Sequence, residues 1–186
     1  MLSHNYYYFV ASLPHINYGD KPPFSTHEFR DLCKNYLSSG DMSLIRYCSF
    51  DPKLSVETVK HTGSSFIDML MLRERTMNLT LASLRAARLK RQITIEVPHD
   101  MPRAEALARA AFEMEDPLDA QLSIDRARWG VLDEMLGLDV FGVNRIYTYL
   151  LKLELLERKQ RLDAEKGATL YREIYDKILN EYNTRV

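Results

Sequence analysis

From Phe66 to about Arg91 the chain contains neither proline nor glycine, and Phe66, Leu70, Met77, Leu81 and Leu84 fall along one helical face. A run of roughly seven turns is long for an isolated globular helix, so it has to be a spine that shorter elements pack around. A second long pattern starts at Asp139, an N-capping residue type, and continues to about Lys166. Its first half, with Val143, Ile146, Tyr147, Leu150, Leu153 and Leu156, is apolar nearly all round. Such a helix is buried among several neighbours or presents one face to another chain. Its second half, Glu157 to Lys166, alternates in sign and reads as solvated. Two spines set the fold class: mainly α, a two-lobed helical bundle with at most one short two-stranded β element.

Shorter helices are announced by their starts. Ser25-Thr26-His27-Glu28 is a capping box, followed by Phe29, Leu32, Cys33, Tyr36 and Leu37 at helical spacing. Gly40 closes that helix, Asp41 caps a short second one, and Asp51-Pro52 starts a third. Gly63-Ser64-Ser65 opens the first spine. Pro102 to Met114 is Ala-rich and helical, and Asp116-Pro117 begins a helix that Gly137 ends. Gly130, in the middle of that helix, suggests a close approach, because it costs about 1 kcal/mol relative to Ala. Beyond Gly167 a last amphipathic helix carries Leu170, Tyr171, Ile174, Tyr175, Ile178 and Tyr182. Two segments lean to strand, the aromatic run Tyr6 to Leu13, which also fits a short helix, and the alternating Gln92 to Val97, a short strand or extended segment, and each is the other's best partner. A seam near Val97 to Pro102 divides the chain into an N-terminal lobe, 1–98, and a C-terminal lobe, 99–186, with one continuous domain as the alternative.

Composition narrows the function classes. The 186 residues are 46% apolar and 27% charged, a globular balance rather than a disordered one. Lys plus Arg is 25 and Asp plus Glu is 26, a net charge of −1, so global electrostatics attract neither nucleic acid nor an anionic membrane. Eleven tyrosines against one tryptophan suit helix seams where the ring packs and the hydroxyl stays wet. Cys33 and Cys48 have no metal-ligand or redox spacing and read as reduced thiols of a cytosolic protein. The N-terminus lacks a basic signal-peptide region. The densest apolar stretch, Phe66 to Leu72, holds Asp68 and cannot span a bilayer.

Chemistry is sparse. His27-Glu28-Phe29-Arg30-Asp31 begins like a zinc-protease helix, but Asp31 stands where the second histidine is needed and Glu28 has a capping task. His4, His15, His27, His61 and His99 share no helical face, and no metal or other cofactor is expected. There is no phosphate loop with its lysine and no Gly-x-Ser-x-Gly elbow, so neither an enzyme nor a small-molecule substrate is expected. Arg85, Arg88, Lys90 and Arg91 form the most basic patch. They suit the C-terminal end of a helix dipole, or alternatively a phosphate-binding surface of a soluble helical regulator that takes nucleic acid or a protein. These four and the outward tyrosines of the last helix, Tyr171 and Tyr175, are the candidate partner-binding residues.

The opening Asn5-Tyr6-Tyr7-Tyr8-Phe9-Val10-Ala11-Ser12-Leu13-Pro14 resembles the start of a bacterial family of unknown function whose genes lie in V-type ATPase operons. Pro117 through Trp129, Tyr149-Leu150-Leu151-Lys152-Leu153 and Leu156-Glu157-Arg158 are similar to that family's second half. Asn78-Leu79 and Leu84-Arg85-Ala86 more distantly resemble a pattern of the V-type ATPase central-stalk subunit, called C in bacteria and d in eukaryotes. That subunit is longer and built from three helical repeats, whereas this chain holds at most two. The resemblance implies a non-catalytic helical subunit or assembly factor of the ion-translocating rotary ATPase. Its partners would be the rotor ring or central shaft, its place the cytoplasmic face of the membrane, and its contact with lipid only indirect.

Overall fold

The aromatic run at the N-terminus, expected to lean to strand, is a helix. In the computed structural model, which describes residues 6–56, 61–91, 95–98, 101–162 and 164–183, it forms α1 (Tyr7–Ser12). Phe9 enters the core and stacks on Phe29 and Tyr36, with ring centroids 6.0 and 4.4 Å away. Tertiary packing of one aromatic face thereby overrides a local β preference. Its expected partner is not extended as a strand either: residues 95–98 have no regular structure, and 92–94 lie outside the described residues. Among the described residues the chain has no strand, so the mainly α class holds.

The capping signals position most of the helices. α2 (Thr26–Cys33) starts on the Ser25/Glu28 capping box, with Ser25 Oγ accepting from Glu28 N and Glu28 Oε2 accepting from Ser25 N at 2.7 Å. The N-terminal end of α2 also meets Glu157, which accepts from Thr26 N (2.7 Å) and Thr26 Oγ1 (3.0 Å). Glu157, read from the sequence as solvated, is therefore part of a helix contact, its charge set against the positive end of the α2 dipole.

Two boundaries differ from the sequence reading next. Ser38, rather than Asp41, caps α3 (Ser39–Leu44), and Gly40 lies inside that helix. Asp41 is thereby free to accept from the Tyr6 hydroxyl (2.5 Å) and the Ser38 hydroxyl (2.8 Å). A 3-10 turn, Ile45–Tyr47, follows, and Arg30 clamps it by donating to the Ile45 and Cys48 carbonyls, each at 3.0 Å. α4 (Pro52–Val56) begins at the Asp51-Pro52 signal.

The first spine is α5 (Ser65–Arg88), capped by Ser64. α6 (Pro102–Phe112) and α7 (Pro117–Leu136) start at their prolines, and α7 ends on Gly137, whose φ of +53° favours glycine. The second spine, α8 (Val143–Arg161), is shorter than expected and is capped by Gly142 instead of Asp139. The Asp139 carboxylate accepts from Gly142 N at 2.8 Å and occupies the place where a Cβ on residue 142 would lie. The next helix, α9 (Ala164–Asn183), begins before Gly167 and carries it at the end of its first turn.

Two apolar clusters make the core. The larger joins Phe9, Phe29, Cys33, Ile45 and Phe50 to the first half of α5 and to α8 from Ile146 to Leu156. The smaller sets Met77 and Leu81 of α5 against Ala104, Ala108 and Ala111 of α6 and Ile124 of α7. Alanines on the inner face of α6 let the two backbones approach closely. Both clusters take residues from each side of the predicted seam at 98/99. Tyrosine hydroxyls pin the outer elements to the second spine: Tyr147 donates to the Asp41 carbonyl and Tyr149 to the Pro14 carbonyl, both at 2.9 Å. Those two pack in helix seams as the composition suggested, but their hydroxyls are buried on carbonyls instead of staying wet.

Gly130 does not serve a close approach. It is exposed in α7, and a Cβ there would meet nothing within 4 Å. Gly130→Ala is therefore expected to stabilise the protein by about 0.5–1 kcal/mol, because it relieves only the helix-interior penalty of glycine. Urea unfolding of the variant should show a higher midpoint at unchanged slope. A lower midpoint would mean that the position carries a constraint other than helix propensity.

Candidate functional site

Arg128 on α7 is buried between two carboxylates. Its Nε and Nη2 donate to Oε1 and Oε2 of Glu74 on α5, at 3.2 and 2.6 Å, and its Nη1 donates to Asp125 Oδ1 at 2.8 Å. The same Asp125 oxygen accepts from Gln121 (3.0 Å) and from Arg158 of α8 (3.3 Å). Arg158 also reaches Glu154, 3.3 Å away, and Glu154 accepts from the Phe50 amide at 3.1 Å. Both guanidinium groups lie over the Phe50 ring, 4.7 and 5.8 Å from its centroid. A single connected net thus ties α5, α7, α8 and the segment before α4. Burial opposes the charge on Arg128, but Glu74 and Asp125 more than reverse that and hold its pKa above the usual guanidinium value. Neighbouring Arg73 is drawn below its usual value by burial, which Glu74 offsets only in part. None of these residues was read from the sequence as part of a site, although Asp125, Arg128 and Arg158 lie in stretches that carry the family resemblance.

The basic patch is divided by the end of α5. Arg85 and Arg88 stand on its exposed last turn. With Leu89 they border an apolar groove of about 360 Å³ closed by Phe112 of α6 and by Pro117 and Ile124 of α7. Arg88 lies 5.7 Å above the Phe112 ring. Lys90 and Arg91 belong to the terminal turn: Lys90 N bonds to Ala87 O and Arg91 N to Ala86 O, each at 3.0 Å. This is a Schellman ending, and Lys90 adopts the left-handed φ of +53° that such an ending usually gives to glycine. The four cations therefore divide into two on the rim of the groove and two on the turn beyond it.

Tyr171 and Tyr175 sit together on α9, their rings stacked 6.2 Å apart at 18°. With Ile174 and Ile178 they are 68, 52, 51 and 60% exposed in the order Tyr171, Tyr175, Ile174, Ile178, so an apolar stripe is uncovered. Every residue from 171 to 178 is exposed, and Arg172, Glu173, Asp176 and Lys177 interleave with the stripe. These tyrosines are surface groups, whereas Tyr147 and Tyr149 pack inside.

Reactive groups are elsewhere held in unreactive settings. Cys33 and Cys48 are buried, which pushes the Cys33 thiol up to about 12 and the Cys48 thiol further up, so neither is a thiolate at neutral pH. His27 pairs with Asp31 at 3.4 Å on the exposed face of α2. Among the described residues no group of three or more His, Cys, Asp or Glu could hold a metal ion, and no helix is long and apolar enough to cross a membrane.

The left-handed Lys90 yields a direct test of the patch. An L-residue in that conformation costs roughly 1–2 kcal/mol, so Lys90→Gly should raise stability by about 1 kcal/mol, while Lys90→Ala should not. Equilibrium urea unfolding separates the two variants. A destabilised Lys90→Gly would assign the lysine side chain a fold-stabilising contact.

Residues 109–182 match the model of a family described as "Protein of unknown function (DUF2764)". The matched segment contains α7, α8 and most of α9, hence Asp125, Arg128 and Arg158 of the ion net together with Tyr171 and Tyr175. No curated protein and no solved structure matches the chain.

Proposed function

We propose that this chain is a non-catalytic helical subunit or assembly factor of a V-type, ion-translocating rotary ATPase, and that it docks through α9. The observation that carries docking is the bare stripe of Tyr171, Ile174, Tyr175 and Ile178 on a helix exposed on every side from 171 to 178. Contiguous apolar side chains rimmed by charge are characteristic of protein-binding faces, and tyrosine is favoured there because a large rigid ring loses little entropy on contact. The sequence resemblance at 5–14, 117–129, 149–153 and 156–158 supports a rotary ATPase as the partner. A part that transmits force or holds an assembly intermediate needs stiff helices fixed to one another, and the buried net of α5, α7 and α8 supplies that stiffness. The groove rimmed by Arg85 and Arg88 offers a second, smaller contact. A regulator binding polyanions through residues 85–91 is the less supported reading, because Lys90 and Arg91 leave the groove rim on which Arg85 and Arg88 stand.

Affinity capture of the tagged full chain from detergent-solubilised membranes of its own source tests the proposal. Rotary ATPase subunits should be recovered with the wild type and fall by about tenfold or more with Ile174→Lys/Ile178→Lys, whose exposed positions leave the fold intact. Absence of ATPase subunits from the wild-type capture would overturn the partner. Undiminished capture by the double variant would overturn α9 as the docking surface.

A further inference from the structure

The segment leaving α1 lies against α8, fixed by the Tyr149 hydroxyl on the Pro14 carbonyl, and leaves a cleft of about 280 Å³. Its opposite walls include Trp129 and Asp133 of α7 and Arg145, Thr148 and Lys152 of α8. The three α8 residues stand at i, i+3 and i+7, which places them along one helical face.

Thr148 is the informative member. It is 1% exposed, and its Oγ1 has no hydrogen-bond partner among the described residues. Buried threonines on α5 behave otherwise: the hydroxyls of Thr76 and Thr80 return to the carbonyls of Leu72 and Thr76, at 2.9 and 2.8 Å. The same option exists for Thr148 at the Asn144 carbonyl and is not taken. A buried hydroxyl without a partner is costly, and the residue that carries it lines a cleft large enough to supply one.

Charge selects what would fill it. Lys152 donates to Asp133 Oδ1 at 2.6 Å and lies 4.4 Å from the Trp129 centroid, so those two charges neutralise each other. Arg145 is half-buried one turn before Tyr149, and no carboxylate among the described residues pairs with it. The cleft is left with an uncompensated guanidinium beside an unused hydroxyl, and a guanidinium fork is the side-chain group best matched to a carboxylate or phosphate. Small-molecule sites span about 300–1,000 Å³, so a cleft just below that range suits a compact anion rather than a nucleotide.

The geometry points to a binding site for a small organic anion, its carboxylate or phosphate head held by the Arg145 guanidinium and the Thr148 hydroxyl beside the Lys152–Asp133 pair. The site is independent of α9 and stands whether or not the docking proposal does.

The full chain, titrated separately with inorganic phosphate and with succinate at constant ionic strength, is followed by amide chemical shifts. Saturable shifts are expected at residues 13–17 and 145–152 with a millimolar or tighter dissociation constant, and the anion bound more tightly identifies the head group. Arg145→Gln and Thr148→Val should each weaken binding by about tenfold. Thr148→Val removes a hydroxyl that has no hydrogen-bond partner among the described residues, so its circular dichroism and unfolding midpoint should match or exceed those of the wild type. Absence of saturable shifts with both anions, shifts that map away from the cleft, or wild-type affinity in either variant would overturn the site.

Discussion

Once α5 and α7 have packed, Arg128 and Glu74 can no longer exist apart. A guanidinium or carboxylate stranded in that interior would cost several kcal/mol, whereas the bidentate pair with Asp125 beside it satisfies both. Burial of this kind adds little net stability over an apolar substitute, but it discriminates between arrangements. The distinction matters most for α8. From Ile146 to Leu156 that helix is apolar nearly all round, so hydrophobic burial alone would accept it rotated or slid by a turn. What fixes its register is polar: Arg158 on Asp125, Glu154 on the Phe50 amide, and the hydroxyls of Tyr147 and Tyr149 on the carbonyls of Asp41 and Pro14. The ion net therefore decides which of many comparably greasy packings is the native one.

With three long helices held in one register, the surfaces they present are held too. The groove rimmed by Arg85 and Arg88 requires the end of α5 to face the start of α7, the two helices that Glu74 and Arg128 join. The anion cleft requires α8 to face α7 through the Lys152–Asp133 pair. α9 differs in kind, since its apolar stripe is exposed instead of committed to the core. A rigid body with one uncommitted amphipathic helix suits a protein that works by being attached to something else.

Much of the fold was legible in the sequence because helix starts are written in local chemistry. Ser25 with Glu28, Ser64, Asp116-Pro117 and Gly137 each mark an end that the structure keeps. The ion net was hidden by a property of the stripes themselves. On α5 the apolar series 66, 70, 77, 81 omits one turn, and the omitted position is Glu74. On α7 the series 132, 136 extends backward through 128 and 125, which are Arg128 and Asp125. A charged residue in register with an apolar stripe is the available signal, but a single helix reads it as a solvated face, because the compensating charge lies on another helix. The N-terminal run leans to strand, with a short helix as its other fit, for a related reason: the conformation of α1 is set by Phe9 stacking on Phe29 and Tyr36, not by its own residues. The exposed tyrosines of α9 and the seam tyrosines of α8 have the same composition, and only packing separates them.

A double-mutant cycle across Glu74 and Arg128, read by urea unfolding, tests the register lock most directly. Arg128→Met should cost about 3–5 kcal/mol, because it strands the Glu74 carboxylate in the interior, and Glu74→Met about 2–3 kcal/mol, because Asp125 still faces Arg128. The double variant should recover much of that loss, giving a coupling energy of about 2–3 kcal/mol. Single variants that each cost less than about 0.5 kcal/mol and combine additively would contradict the claim that this pair holds the helices in place.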